Sequence, residues 1–225
     1  MRYSKSPPKA AAVPFFSTGE EKANSLIHFF GALGAIAGLI LLWLKTGGFL
    51  SAQRVTIRDI ISAFVFSSTM LGMFAISTFY HAIKRQNAKN ILRRLDHSMI
   101  FIFIAGTYTP LCLSAIQGAW GWGLFAFEWA LAITGITLNV LNSKALKKIE
   151  IAAYVCMGWA IIAGFFPLVR SVPPQSVFLL IAGGIAYTLG IIWYRKKEQK
   201  YTHAIWHVFV IFGAVCHWFS IWYIY

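Results

Sequence analysis

Seven apolar runs, each about the length that spans a bilayer, divide this 225-residue chain: 24–44, 59–81, 97–115, 119–141, 150–169, 176–194 and 203–224. A helix rises about 1.5 Å per residue, so about 20 residues cross the roughly 30 Å of hydrocarbon in a membrane. Inside hydrocarbon the backbone must satisfy its own polar groups, which makes such runs helices. The chain is 58% hydrophobic and only 12% charged, where a soluble domain carries about 25% charged residues. The expected fold is therefore all-α, a seven-transmembrane helix bundle over residues 17–225 behind a disordered basic tail at 1–16. Arg2, Lys5 and Lys9 resemble the start of a signal peptide. The apolar stretch 10–16 is short, contains Pro14 and lacks a small-residue cleavage site, so no signal peptide is expected. Thr18 and Glu21 have capping-box spacing, with Glu20 and Glu21 in the first turn of the first helix.

Charge orients the bundle. There are 20 Lys and Arg against 7 Asp and Glu, a net +13. Sixteen of the basic residues fall in the N-terminal tail and its helix start, and in the second, fourth and sixth connections; only Lys45, Arg54, Arg58 and Arg170 fall on the other side. The positive-inside rule predicts a cytoplasmic N-terminus and, after seven crossings, an extracytoplasmic C-terminus. Topology and anionic lipid account for the excess charge, so no nucleic-acid partner is expected. Trp120, Trp122, Trp218, Trp222, Tyr223 and Tyr225 gather at the predicted outer interface and read as lipid anchors.

With that topology, His81 closes the second span, Asp96 and His97 open the third, and His203 and His207 open the seventh, all at one membrane depth. Ionisable groups are expensive in spans and mark sites. Residues four apart on a helix share a face, so Ser77 points with His81 and His203 with His207. Three imidazoles can hold a zinc ion with nitrogens at about 2.0–2.1 Å and leave a fourth position open, as catalytic zinc requires. The water such an ion acidifies can attack a carbonyl. Asp96 is placed to orient that water or take its proton, and Ser77 to hydrogen-bond the water or steady a developing oxyanion.

The other polar residues are assigned lesser parts. His28 lies at the same depth but reads as an interfacial or packing residue, because three ligands suffice. His97 is expected to orient Asp96 or cap its helix. His217 lies about three turns beyond His207, too far to share an ion. Glu128 is the one carboxylate deep in a span and is expected to face the interior, paired or protonated, with a proton relay as its functional alternative. Gly34 and Gly38 form a small-x-x-x-small pair for close helix approach. Pro110 is expected to kink the third helix and Pro173-Pro174 to mark a turn. Cys112, Cys156 and Cys216 are expected to be free, buried thiols.

The segments Ser77-Thr-Phe-Tyr-His81, Leu95-Asp96-His97, Ala105-Gly-Thr-Tyr-Thr-Pro110 and His203-Ala-Ile-Trp-His207 resemble the signature of the hemolysin III-like bacterial branch of the progestin and adipoQ receptor family. The resemblance runs from about residue 18 to the end. It implies a multi-pass protein of the bacterial plasma (inner) membrane with a cytoplasmic N-terminus. It also implies zinc held by His81, His203 and His207, with the family's aspartate and serine at Asp96 and Ser77. Related alkaline ceramidases imply lipid amide or ester hydrolysis, and the bacterial branch implies a part in membrane-fluidity homeostasis. The N-terminal tail is short where the eukaryotic receptors carry a longer cytosolic domain, which argues against a hormone-receptor role.

Three functions follow as expectations. The first is a zinc-dependent hydrolase with membrane lipid as substrate. The second is a non-enzymatic sensor or receptor with structural zinc, and the third an ion or proton channel or transporter. An open metal position beside a lipid-sized cavity would favour the first. A fourth protein ligand would favour the second. A polar path including Glu128 would favour the third.

Overall fold

The computed structural model describes residues 16–50, 55–196 and 198–225. Apart from Phe16, the predicted basic tail lies outside the described residues. Among the described residues there is no strand, and seven helical rods are long and apolar enough to cross a membrane. They are α1 (Thr18–Thr46), α2 (Ile57–Ala82) and α3 (Gln86–Pro110) with its π-helical extension Leu111–Ile116. After these come α4 (Gly118–Val140) and α5 (Lys144–Trp159), which is joined through a 3-10 turn, Ala160–Gly164, to α6 (Phe165–Ser171). Helices α7 (Pro174–Tyr194) and α8 (Thr202–Trp222) complete the bundle. Helices α5 and α6 together make the fifth span.

Local chemistry sets the helix ends. Ser17 is the N-cap of α1 and forms a capping box with Glu20, so the box lies one residue before the predicted Thr18–Glu21 pair. That register leaves the Glu21 side chain available for tertiary contacts. Thr56 and Asp59 form the equivalent box on α2, and Ser143 caps α5 through the Leu146 amide. Pro174 occupies the first turn of α7, where its missing N–H costs nothing. Pro110 has no N–H for the carbonyl one turn back, and α3 widens there into the π-helical segment. Thr107 and Thr109 turn their hydroxyls onto the Phe103 and Ala105 carbonyls at 2.8 and 3.0 Å. The expected disturbance at Pro110 is thus a change of helical pitch.

The exterior is apolar and much of the polar chemistry is inside. Phe30, Phe166 and Phe178 are 66%, 76% and 72% exposed, whereas Asn24, Ser62, Ser77, His81, His207 and Glu128 are buried. A surface this apolar belongs against hydrocarbon. Helix α1 packs on α2 and α8, α3 lies between α2 and α4, and α7 packs closely on α8. Glycines make the last contact tight. A Cβ at Gly190 would lie 2.7 Å from the Trp206 ring, and one at Gly213 would lie 2.7 Å from the Tyr187 ring. Gly38 likewise sits against Trp218, at 2.6 Å from Nε1, but nothing approaches Gly34. The predicted Gly34–Gly38 pair is therefore one close contact and one lipid-side glycine.

At the far end of the bundle, Lys45 donates to the Trp222 carbonyl at 2.6 Å and lies 4.0 Å from its ring centre. Trp120, Trp122 and Tyr223 are exposed, as lipid anchors should be. Tyr225 is not: it is buried, with its hydroxyl 3.3 Å from Ser114. Trp218 also turns inward, onto the core. All three cysteines are free, but only Cys112 and Cys216 are buried; Cys156 is exposed because α5 turns that position away from the bundle.

Candidate metal centre

Helices α2 and α8 bring the predicted histidines together. His81, in the last turn of α2, meets His203 and His207, from successive turns of α8, 126 positions later in the case of His207. One nitrogen from each lies within 4.8 Å of the other two. Nε2 of His81 is 3.2 Å from Nε2 of His207. Two imidazole nitrogens on a tetrahedral zinc ion would lie about 3.3 Å apart, from metal–nitrogen distances of about 2.0–2.1 Å. Three neutral imidazoles facing one point suit a divalent metal of the zinc type. His81 and His207 are buried, and the Phe16 ring stacks on His203 with centroids 4.9 Å apart.

The surroundings of His81 fix its orientation. Its Nδ1 is 2.7 Å from Oε2 of Glu21, at the start of α1, and the other Glu21 oxygen is 2.7 Å from Nζ of Lys89 on α3. Lys89 also donates to the Tyr80 and Ile83 carbonyls at 3.2 and 3.4 Å. Asn24 contributes a longer contact to His81 Nδ1, at 3.4 Å. A ligand histidine that donates its second N–H to a carboxylate is held in one tautomer and one orientation. The sequence reading did not place Glu21, Asn24, Lys89 or Phe16 at the site. One signal was present: Glu21, Asn24 and His28 recur at i, i+3 and i+7, a polar stripe on one face of α1.

Ser77 and Asp96 line the same cavity as His203 and His207. Ser77 is 1% exposed and its hydroxyl has no hydrogen-bond partner among the described residues, so it is available to a bound group. His28 is buried beside the group, its ring centre 3.8 Å from that of His207, but it does not belong to the three that can share an ion. His97 does not orient Asp96. Its Nδ1 is 2.9 Å from Glu150 on α5, and Tyr154 donates to both the Glu150 carboxylate and the His97 carbonyl at 3.0 Å. His97 thus ties α3 to α5. His217 donates to the Leu180 carbonyl at 3.2 Å, away from the histidine group. Glu128 faces the interior as expected, but among the described residues neither of its oxygens has a partner.

The cavity is narrow, about 170 Å³, and partly open to the surroundings. From His203 and His207 it passes Phe103 and Tyr108 and reaches Leu168 and His217. His207 and His217 are ten residues apart on α8, about 15 Å along the helix axis. Its walls are mostly apolar; Ser77, Asp96, His203 and His207 line one end, and His217 lines the stretch about 15 Å along α8 from His207.

A family profile described as "Haemolysin-III related" matches residues 16–218. The chain belongs to the haemolysin-III-related family. It is 36% identical to the "Hemolysin-3 homolog" of Bacillus subtilis (strain 168) over 206 residues, which cover 92% of this chain and 94% of that protein. It is 34% identical to "Hemolysin-3" of Bacillus cereus over 202 residues, 90% of each. The human "Monocyte to macrophage differentiation factor" is 26% identical over 213 residues, covering 90% of this chain and 83% of that one. The matched region takes in α1 to α7, most of α8 and all three histidines.

Proposed function

We propose that this haemolysin-III-related protein is a zinc-dependent hydrolase that cleaves an amide or ester bond of a membrane lipid and so adjusts bilayer composition or fluidity. The observation that carries this reading is a three-histidine group opening onto a long apolar cavity. His81, His203 and His207 would hold the ion. When bound, zinc would supply a Lewis acid and an acidified water. No fourth His, Cys, Asp or Glu joins the three among the described residues, which supports an open position over a closed structural site. The cavity would take the acyl chain, with the scissile bond at the end lined by His203 and His207.

The remaining chemistry falls to two side chains on the cavity wall. Asp96 takes the proton of the attacking water and returns it to the leaving amine or alkoxide. Ser77, one turn before His81, donates its unpaired hydroxyl to the acyl oxygen as charge develops there. The sixteen basic residues on the histidine side of the topology support a cytoplasmic site in a bacterial plasma membrane. Glu128 does not line the cavity, which gives no support to a transmembrane polar path.

The test is release of fatty acid from a panel of labelled membrane esters and ceramide-like amides by purified protein in vesicles. Zinc-dependent release is expected. Absence of product across the panel would refute the hydrolase reading and favour a sensor with structural zinc.

A further inference from the structure

We infer that the first turn of α1 is a positioning bracket for the histidine group: Glu21 orients His81 and Glu20 holds the start of α8. The inference rests on reading the three histidines as a metal site. Neighbouring positions on a helix point about 100° apart, so two adjacent glutamates reach two different helices.

Glu21 uses both oxygens across three helices, at 2.7 Å to His81 Nδ1 on α2 and 2.7 Å to Lys89 Nζ on α3. Lys89 matches the carboxylate charge and is itself held by two carbonyls at the end of α2. With Nδ1–H donated to Glu21, the His81 lone pair lies on Nε2, the atom that faces His207 at 3.2 Å. A carboxylate behind a ligand histidine sets the tautomer, locks the ring and raises ligand basicity.

Glu20 acts on the other ligand-bearing helix. Its Oε1 accepts from the Tyr201 amide at 2.9 Å, while Oε2 takes the Ser17 amide and hydroxyl at 2.9 and 2.7 Å. Tyr201 is the N-cap of α8, makes no side-chain capping bond, and has a φ of 62°. Side-chain-bearing residues adopt that left-handed backbone reluctantly, so an external bond to the amide helps to hold it. His203 follows two residues later. One helical turn thus sets both sides of the group, and Ser17 fixes the turn itself.

Ordinary helix capping makes a different prediction, and zinc affinity separates the two. Competitive chelator titration of purified full-length protein in detergent should give Glu21→Ala about 10- to 100-fold weaker zinc binding at unchanged helical content. Glu21→Gln keeps the size and one acceptor but loses the charge, so a several-fold loss is expected. Glu20→Ala should lose a few-fold. Asp59→Ala removes the matching capping carboxylate at the other end of the bundle and should leave zinc affinity unchanged. His81→Ala should abolish tight binding. Wild-type affinity in Glu21→Ala or Glu21→Gln, with His81→Ala defective, would overturn the bracket and leave the metal site standing. Equal affinity in wild type and His81→Ala would overturn the metal site, and the bracket with it.

Discussion

Replacing Asp96 by Asn separates chemistry from metal binding. Asp96 is half-buried on the cavity wall and is not one of the three residues whose nitrogens can share an ion. Asn has the same shape, so the cavity wall and the three imidazoles should stay in place and zinc content should remain within about twofold of wild type. Asn cannot accept the proton of an attacking water. A positioned general base contributes about 10²–10⁴ in rate, which corresponds to about 3–5.5 kcal/mol of barrier at roughly 1.4 kcal/mol per tenfold. Turnover of labelled lipid should fall by that factor while elemental analysis shows the metal retained. Undiminished turnover in Asp96→Asn would refute the assignment of the base. Loss of zinc in parallel with activity would show that Asp96 belongs to the ligand set and that the reasoning about its separate role is wrong.

Three further outcomes follow from other parts of the bundle. Ser77→Ala removes one neutral hydrogen bond to the reacting oxygen, worth about 1 kcal/mol, so activity should fall only about 5- to 10-fold with zinc unchanged; an inactive variant would mean that Ser77 does more than donate. Tyr154→Phe removes the bond that ties α5 to the His97 carbonyl of α3, and a second, within α5, to Glu150. It should lower stability in detergent by about 1–3 kcal/mol without lowering zinc content, as a thermal or denaturant titration read alongside elemental analysis will show. Reporter fusions should place the N-terminus in the cytoplasm and the C-terminus outside; both ends on one side would break the argument that the basic connections and the histidines share the inner face.

The spans were legible because hydrocarbon imposes one rule on every long apolar run, and among the described residues the observed rods begin and end within about six residues of the seven read from the sequence, except that α3 begins at Gln86, eleven residues before the apolar run at 97, because its first turns are polar and basic. The three histidines were legible for a second reason: topology alone brings the end of α2 and the start of α8 to one depth. Their support was not. Glu21 read as a helix-end charge because the capping box was placed one residue late; with Ser17 and Glu20 as the box, Glu21 points inward to His81. The partners of His97 and Lys89 depend on how α5 and α2 are rotated about their axes, which apolar periodicity fixes poorly when most faces of a helix touch lipid. The same ambiguity hid the inward turn of Tyr225 and the outward turn of Cys156. Glu128 was correctly assigned to the interior, but the structure provides it with no partner among the described residues.

The central claim is that His81, His203 and His207 hold one zinc ion. It is tested most directly by the metal content of protein purified without added metal, measured by elemental analysis for wild type and His207→Ala. About one zinc per wild-type chain and a near-empty variant of unchanged helical content are expected. Equal zinc in the two proteins, or none in either after zinc is supplied, would contradict the account.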